Sequence, residues 1–535
     1  MEAAFSIVVL IAVAVAVSAY AQRRTLTPPL VLIVVGFALS YMPFLHHIEL
    51  TPDLVLIGLL PPLLYGAAIR TPLMDFRENF RPIALLSVGL VLFTAAGVAA
   101  VAHQLLEVSW PVAFALGAVV APPDAVAATA VARRVGMPRR VVTILEGESL
   151  VNDATAIVTL RSSIAAIAGA VTFWEIGGAF VVSAVGGAVV GLAVAQAVTW
   201  IRQFTEDEVT DVSVSLLTPW MAYLLAEQLH VPGIHGEPSG VLAVVVAGLI
   251  LGHRSPVIQS GASRLFERTN WATILFVLEN IVFLLIGLQL RSILDGVGAH
   301  PLPSWHIVWI SLTVLASVIL LRMVGVFWAV YLPRKCLPGA REREPPPSCR
   351  TTMLVSWAGM RGVITLAAVF LLPEDTPSRE ILVFIAFVVT VGTLLVQGLT
   401  LPCLVRRLGV RGVDRSAEAL REATVMQQVS DAGLAYLEEH IAGTVDDAVL
   451  VRLRTASADR VDAAWERLDD AIETPSEQFA RARAAMLRAE RSEVLKLRGE
   501  SGVDQIVLAR VLARLDAEES ILERYTEIDE DPTAS

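Results

Sequence analysis

Residues 146–153 read Glu146-Gly147-Glu148-Ser149-Leu150-Val151-Asn152-Asp153, three carboxylates in eight residues, yet they stand inside an apolar run from 141 to 169. A helix needs about 20 apolar residues to cross ~30 Å of hydrocarbon, and a carboxylate at mid-depth costs roughly 2.5–3.5 kcal/mol on insertion scales. Each of these charges therefore needs a partner or a task. At ~1.5 Å per residue Asp153 falls about 18 Å into the run, close to the bilayer midplane. Ser149 and Asp153, four residues apart, share one helix face; Glu148 and Asn152 share the adjoining one.

The rest of the chain fits that reading. Of 535 residues, 55% are hydrophobic and 17% charged, with mean hydropathy +0.65, which describes a polytopic membrane protein. Apolar runs of crossing length fall near 4–21, 28–45, 52–69, 82–102, 110–132, 141–169, 174–201, 212–229, 238–252, 271–290, 304–332, 351–372 and 380–405, thirteen in all. The first lacks a basic leader and a small-residue cleavage site, so it reads as a retained span. Lys and Arg test the count, because they gather on the cytoplasmic side. Alternate loops carry 20 of them on one side and only Arg291 and Arg379 on the other, while Arg161, Arg322 and Arg361 lie within spans. The expected topology has the N-terminus outside and the C-terminus in the cytoplasm.

Charge also divides the chain. Residues 1–410 carry 25 residues of each sign, whereas residues 411–535 carry 16 Lys and Arg against 27 Asp and Glu, which accounts for the net −11. Neither a uniformly acidic surface nor a basic nucleic-acid face is present. We expect a transmembrane domain over 1–408 and a helical, cytoplasmic C-terminal domain over 409–535. Cys336, Cys349 and Cys403 have no metal-ligand spacing and fall on the reducing side, so neither a disulfide framework nor a cofactor is expected.

Two spans carry built-in breaks. In span five, Val120-Ala121-Pro122-Pro123-Asp124-Ala125 removes two successive backbone donors just before a carboxylate. In span twelve, Ala358-Gly359-Met360-Arg361-Gly362 sets an arginine between glycines. Broken backbone at membrane depth is tolerated where it lines a cavity or is buried in protein. With span seven as a linker, spans one to six and eight to thirteen form two six-helix sets of opposite topology, and the broken helix is fifth in each. The expected fold is thus all-α, with thirteen transmembrane helices, two inverted six-helix repeats and crossing broken helices.

The string Pro-Pro-Asp-Ala-Val-Ala-Ala at 122–128, Leu145 to Thr155 with its Glu-Ser-Leu-Val-Asn-Asp core, and Gly-Met-Arg-Gly at 359–362 resemble the NhaP-type sodium/proton antiporters, within the monovalent cation:proton antiporter superfamily. The resemblance covers the membrane part, including Leu60-Pro61-Pro62-Leu63-Leu64, but not the tail. It implies that Asp153 is the main cation and proton site, with Ser149 and the carbonyl of Pro123 as further ligands of a transient monovalent cation. It implies that Asp124 is the second carboxylate, acting through water or by holding Asn152, and that Glu148 pairs with Arg361 to join the broken halves. Asn152-Asp153 resembles the electroneutral branch. Two departures stand: the family often has Thr where Pro123 is, and an acid where Gly66 is.

The resemblance implies a secondary active transporter, not an enzyme, exchanging Na+ (or K+ or Li+) for H+ across the plasma membrane in pH and sodium homeostasis. The partners it implies are these ions, the lipid bilayer and a second copy of the chain as a homodimer. A K+/H+ antiporter and a passive monovalent cation channel are the alternatives. Glu146 and Glu279 remain open between a functional role and neutralisation by Arg161 and Arg322.

Overall fold

The computed structural model describes residues 2–24, 27–42, 51–124, 137–169, 173–205, 207–229, 237–298, 303–336, 348–410, 415–441, 443–466, 468, 474–499 and 505–530. Ala125 and the far half of the expected fifth span lie outside them. All regular structure among the described residues is helical. The chain divides into two compact units, Met1–Val410 and Arg411–Ser535.

In the first unit the helices run α1 (Glu2–Arg23), α2 (Pro28–Leu39), α3 (Leu54–Ala68), the short α4 (Leu73–Glu78), α5 (Phe80–Leu106) and α6 (Trp110–Val120). Then follow α7 (Arg139–Ile167), α8 (Phe173–Arg202), α9 (Glu208–Gln228), α10 (Gly240–Ile258), α11 (Gly261–Gly298), α12 (Ser304–Cys336), α13 (Cys349–Trp357), α14 (Val363–Val369) and α15 (Arg379–Leu408). Nine helices of the described residues are long and apolar enough to cross a membrane, and α2, α3 and α6 are shorter apolar helices. α11 begins ten residues before the apolar run that marks it in the sequence, because its first turns carry charged residues that a hydropathy window passes over.

Proline shapes several of these helices. Pro61, Pro82 and Pro402 each stand within a turn of a π-helical stretch, at Leu54–Leu59, Leu85–Leu90 and Leu394–Gly398. A missing N–H lets the helix widen locally and rejoin one residue out of step. Close approach depends on glycine elsewhere. Where α2 crosses α11, a Cβ on Gly36 would sit 2.2 Å from the Leu284 carbonyl oxygen, and one on Gly287 2.2 Å from that of Ile33. Lipid offers no hydrophobic drive for helix association, so such backbone contacts supply the packing. Gly287→Val should therefore cost about 3 kcal/mol or more, since the obstructing atoms are backbone and cannot swing aside. Loss of a monodisperse peak in fluorescence size-exclusion chromatography would register it; a wild-type profile would show that the crossing tolerates a side chain.

Two large apolar clusters form most of the interior, with a small third one of Val91, Ala95, Ala121 and Ala156. One large cluster joins α1, α2, α5, α6, α11–α15 and the Val55 and Leu59 side of α3; the other joins the opposite side of α3 with α8, α9, α10 and the first half of α11. α7 belongs to both, giving Val141, Leu145 and Leu160 to the first and Leu150, Ala154 and Ile157 to the second. At 3.6 residues per turn these sets lie on opposite flanks of α7, and Asp153 falls between them.

In the second unit α16 (Arg415–Tyr436) packs on α17 (Asp447–Glu466), and α18 (Pro475–Gly499) on α19 (Gln505–Glu530). Arg483 donates from Nε and Nη2 to both oxygens of Glu518, at 2.7 and 2.8 Å, and holds that carboxyl below its ordinary range.

Candidate cation and proton site

The site is built where two broken helices end against α7. α6 stops because Pro122 and Pro123 cannot donate to the carbonyls of Ala118 and Val119. The next donor, the Asp124 N–H, turns away and bonds the Met360 carbonyl at 2.7 Å, which leaves the Val120 carbonyl, like that of Ala121 at the helix end, open to a side-chain donor. Arg361 takes both, from Nε at 3.0 Å and Nη2 at 3.1 Å, and its Nη1 donates to the Gly359 carbonyl. A guanidinium thus caps the negative end of one half-helix from the break of the other. The Arg361 N–H donates to Thr393 Oγ1 of α15 at 3.0 Å, which anchors the second break.

This geometry corrects the expected pairing of Glu148 with Arg361. The partner of Glu148 is Arg322, on α12, which donates from Nη1 at 2.6 Å and Nη2 at 3.0 Å to the two carboxylate oxygens. Both side chains are buried. Arg322 reaches Glu148 because Gly359 has no side chain: a Cβ there would lie 2.0 Å from Arg322 Cδ. Arg361 is occupied by bare carbonyls that a guanidinium, with donors and no acceptor, suits. Nor do the arginines neutralise Glu146 and Glu279 as considered above. Arg161 pairs with Glu227 at 2.8 Å and Glu237 at 3.7 Å, and Arg322 is engaged by Glu148. Glu279 lies within electrostatic reach of Asp124 and Arg70.

Asp153 is 3% exposed, and among the described residues no cation stands within ion-pair distance of it. The charge it feels is the carboxylate of Asp124. Asp124 is half-buried, with Oδ2 packed where a Cβ on Gly362 would be. Asn152 is fully buried; its Nδ2 donates to the Pro123 carbonyl at 2.7 Å, while its Oδ1 has no hydrogen-bond partner. The Pro123 oxygen expected as a cation ligand is thus already an acceptor for Asn152, with a second lone pair remaining. Ser149, one turn before Asp153, is half-buried. The breaks therefore converge on α7 at the level of the Asn-Asp pair: a buried carboxylate without a cationic partner among the described residues, a second carboxylate beside it, and carbonyl oxygens of irregular backbone. That donor set, all hard oxygen, suits an alkali cation or a proton.

A family model described as "Sodium/hydrogen exchanger, transmembrane" matches residues 8–407. The chain belongs to this family. It is 32% identical, with 96% of each chain covered, to the uncharacterized Na+/H+ exchanger Rv2287 of Mycobacterium tuberculosis. It is 31% identical to the uncharacterized Na+/H+ exchanger YjcE of Escherichia coli, covering 92% of this chain and 94% of that one. A sodium, potassium, lithium and rubidium/H+ antiporter of Bacillus pumilus is 30% identical over 70% of this chain and 57% of its own length. The solved sodium proton antiporter MjNhaP1 of Methanocaldococcus jannaschii has the same fold, with a TM-score of 0.60 over 76% of this chain and 99% of that chain at 18% identity. This exchanger-family chain is accordingly a multi-span membrane protein of the cation/proton antiport class.

Sequence reasoning missed a second buried polar group. Arg202, counted above among cytoplasmic loop charges, is sealed at the end of α8: Nη2 meets Glu267 Oε1 at 2.9 Å and Nε meets Asp211 Oδ1 at 3.3 Å. Gln259 Nε2 donates to Asp211 at 2.7 Å and Glu267 at 2.9 Å. The network ties together the ends of α8, α9, α10 and α11 and holds no part of the Asp153 site. An acid at the very edge of the eighth apolar run was its one sequence signal.

Proposed function

We propose that this chain exchanges Na+ for H+ one for one across the plasma membrane, with Asp153 as the group both ions neutralise in turn. The observation that carries the reading is Asp153 itself: buried, without a cationic partner among the described residues, and set beside the converging breaks. An empty, charged Asp153 would cross the apolar barrier at a cost of several kcal/mol, whereas its protonated or cation-loaded form is neutral. Empty return is then suppressed, and cation flux is tied to proton flux.

In this reading Ser149, the Pro123 carbonyl and Asp124 complete the cation shell, and Asn152 holds the α6 break in register. The membrane unit crosses thirteen times as two inverted repeats, N-terminus outside, works as a homodimer, and serves pH and sodium homeostasis. K+ and Li+ are further candidate substrates, and the cation range in the name of the Bacillus pumilus relative supports testing them. The discriminating experiment is proton flux in purified proteoliposomes on adding Na+, K+ or Li+. One cation for one proton moves no net charge, so clamping the membrane potential at either sign should leave the Na+-driven rate unchanged within about twofold, against 2.3 kcal/mol per 100 mV for each net charge moved. A steep voltage dependence would overturn the one-for-one stoichiometry, and cation flux without proton flux would favour a channel.

A further inference from the structure

Gln397 stands in the π-helical stretch Leu394–Gly398 of α15 and is fully buried. Among the described residues neither its Oε1 nor its Nε2 has a hydrogen-bond partner, and both atoms are buried. An amide buried dry and unpaired loses its hydration and gains nothing in return, so leucine would be the more stable occupant of this site. In this arrangement no described protein group meets it, and a change in how its neighbouring groups pack would supply one.

Its surroundings identify those groups. One turn before it, Thr393 Oγ1 accepts from the Arg361 N–H at 3.0 Å; three residues after it, Thr400 Oγ1 accepts from Trp357 Nε1 at 2.9 Å. These two ties bracket the break of the α13–α14 pair from both ends, and Gln397 lies between them. A Cβ on the adjoining Gly398 would sit 3.3 Å from Met360 Sδ, so this π-helical stretch packs directly on the break. Met360 in turn offers its carbonyl to the Asp124 N–H, while among the described residues the N–H groups of Gly359 and Met360 donate to no partner. An unpaired amide therefore belongs to the helical stretch that packs on this break, where two peptide N–H groups, those of Gly359 and Met360, are without partners among the described residues and the Met360 carbonyl holds the backbone of the site's second carboxylate. π-Helical insertions favour functional positions because they present a side chain out of register with the helix around it.

We propose that Gln397 is a positioning residue whose amide pairs with the peptide groups of Ala358–Met360 in the alternative arrangement this break adopts during the cycle. It thereby sets how fast the break, and with it Asp124, passes between its two arrangements. The proposal rests on the exchange reading above, but its test separates the two.

Gln397→Leu keeps the volume and removes the hydrogen bonds. The purified variant should melt at or above the wild-type temperature, because the arrangement described here loses only an orphan. Its maximal Na+-driven exchange rate should fall about tenfold, the loss of roughly one hydrogen bond from the other arrangement, while KM for Na+ stays within about twofold. A wild-type maximal rate would overturn the proposal, as would a melting temperature that falls together with the rate, since Gln397 would then be an ordinary structural residue. If the wild-type protein showed no coupled exchange at all, the exchange reading would fall, and hydrogen–deuterium exchange over residues 355–364 would still decide. Faster uptake at Gly359 and Met360 in the leucine variant is expected; identical uptake would overturn the pairing.

Discussion

Asp153→Asn will abolish Na+-dependent proton flux in everted vesicles, down to the background of vesicles without the protein, while the protein folds as well as wild type or better. The two halves of this result come from one observation. Asp153 is buried and has no cationic partner among the described residues, so a negative charge on it is held at a desolvation cost that no described cation offsets. Removing that charge stabilises the resting protein. It also removes the formal charge that compensates a dehydrated cation in the site, and an amide cannot exchange a proton in its place. Unchanged flux would show that the exchanged ions are neutralised elsewhere. Lost flux with a melting temperature lowered by many degrees would show instead that Asp153 holds the fold together.

Arg322→Met should have the opposite signature, with stability falling by about 3–5 kcal/mol as Glu148 is left buried and unpaired. The second change Glu148→Leu should restore most of that loss, because well-packed apolar replacement of both members of a buried ion pair is close to neutral. Arg361→Met should also destabilise, by stripping the caps from Val120 and Ala121, but Glu148→Leu should not rescue it. Thermal unfolding in detergent of the wild type, the three single variants Arg322→Met, Arg361→Met and Glu148→Leu, and the two doubles that combine Glu148→Leu with each arginine change forms two double-mutant cycles that assign the partner. Rescue of Arg361→Met, and not of Arg322→Met, by Glu148→Leu would return the ion pair to Arg361.

The contrast between these two arginines marks what could be read from the residues alone. The breaks were legible because their causes are local: two prolines without N–H groups, and two glycines flanking Arg361. Asp153 was legible because a carboxylate amid apolar residues is conspicuous wherever its helix packs. Which arginine faces Glu148 depends on where α12 stands beside the α13–α14 break, and on the space opened by Gly359 in that break, outside the helix of either partner. No spacing along the chain carries that. Arg202 escaped for a related reason, since counting charges by side of the membrane assigns a face but not a depth. The long start of α11 was hidden because charged turns mask a helix whose inward side meets Arg202 through Glu267.

α7 is shared between two separate apolar interiors, and this fixes how damage travels. Leu145→Ala and Leu150→Ala would open voids in different cores, so their losses should sum without interaction, although the two side chains are little more than a helical turn apart. Both voids nevertheless loosen the one rod that carries the ion-bearing acid, from opposite flanks. A distant packing defect in either half of the molecule would therefore be felt at Asp153 as a shifted address, with its chemistry intact.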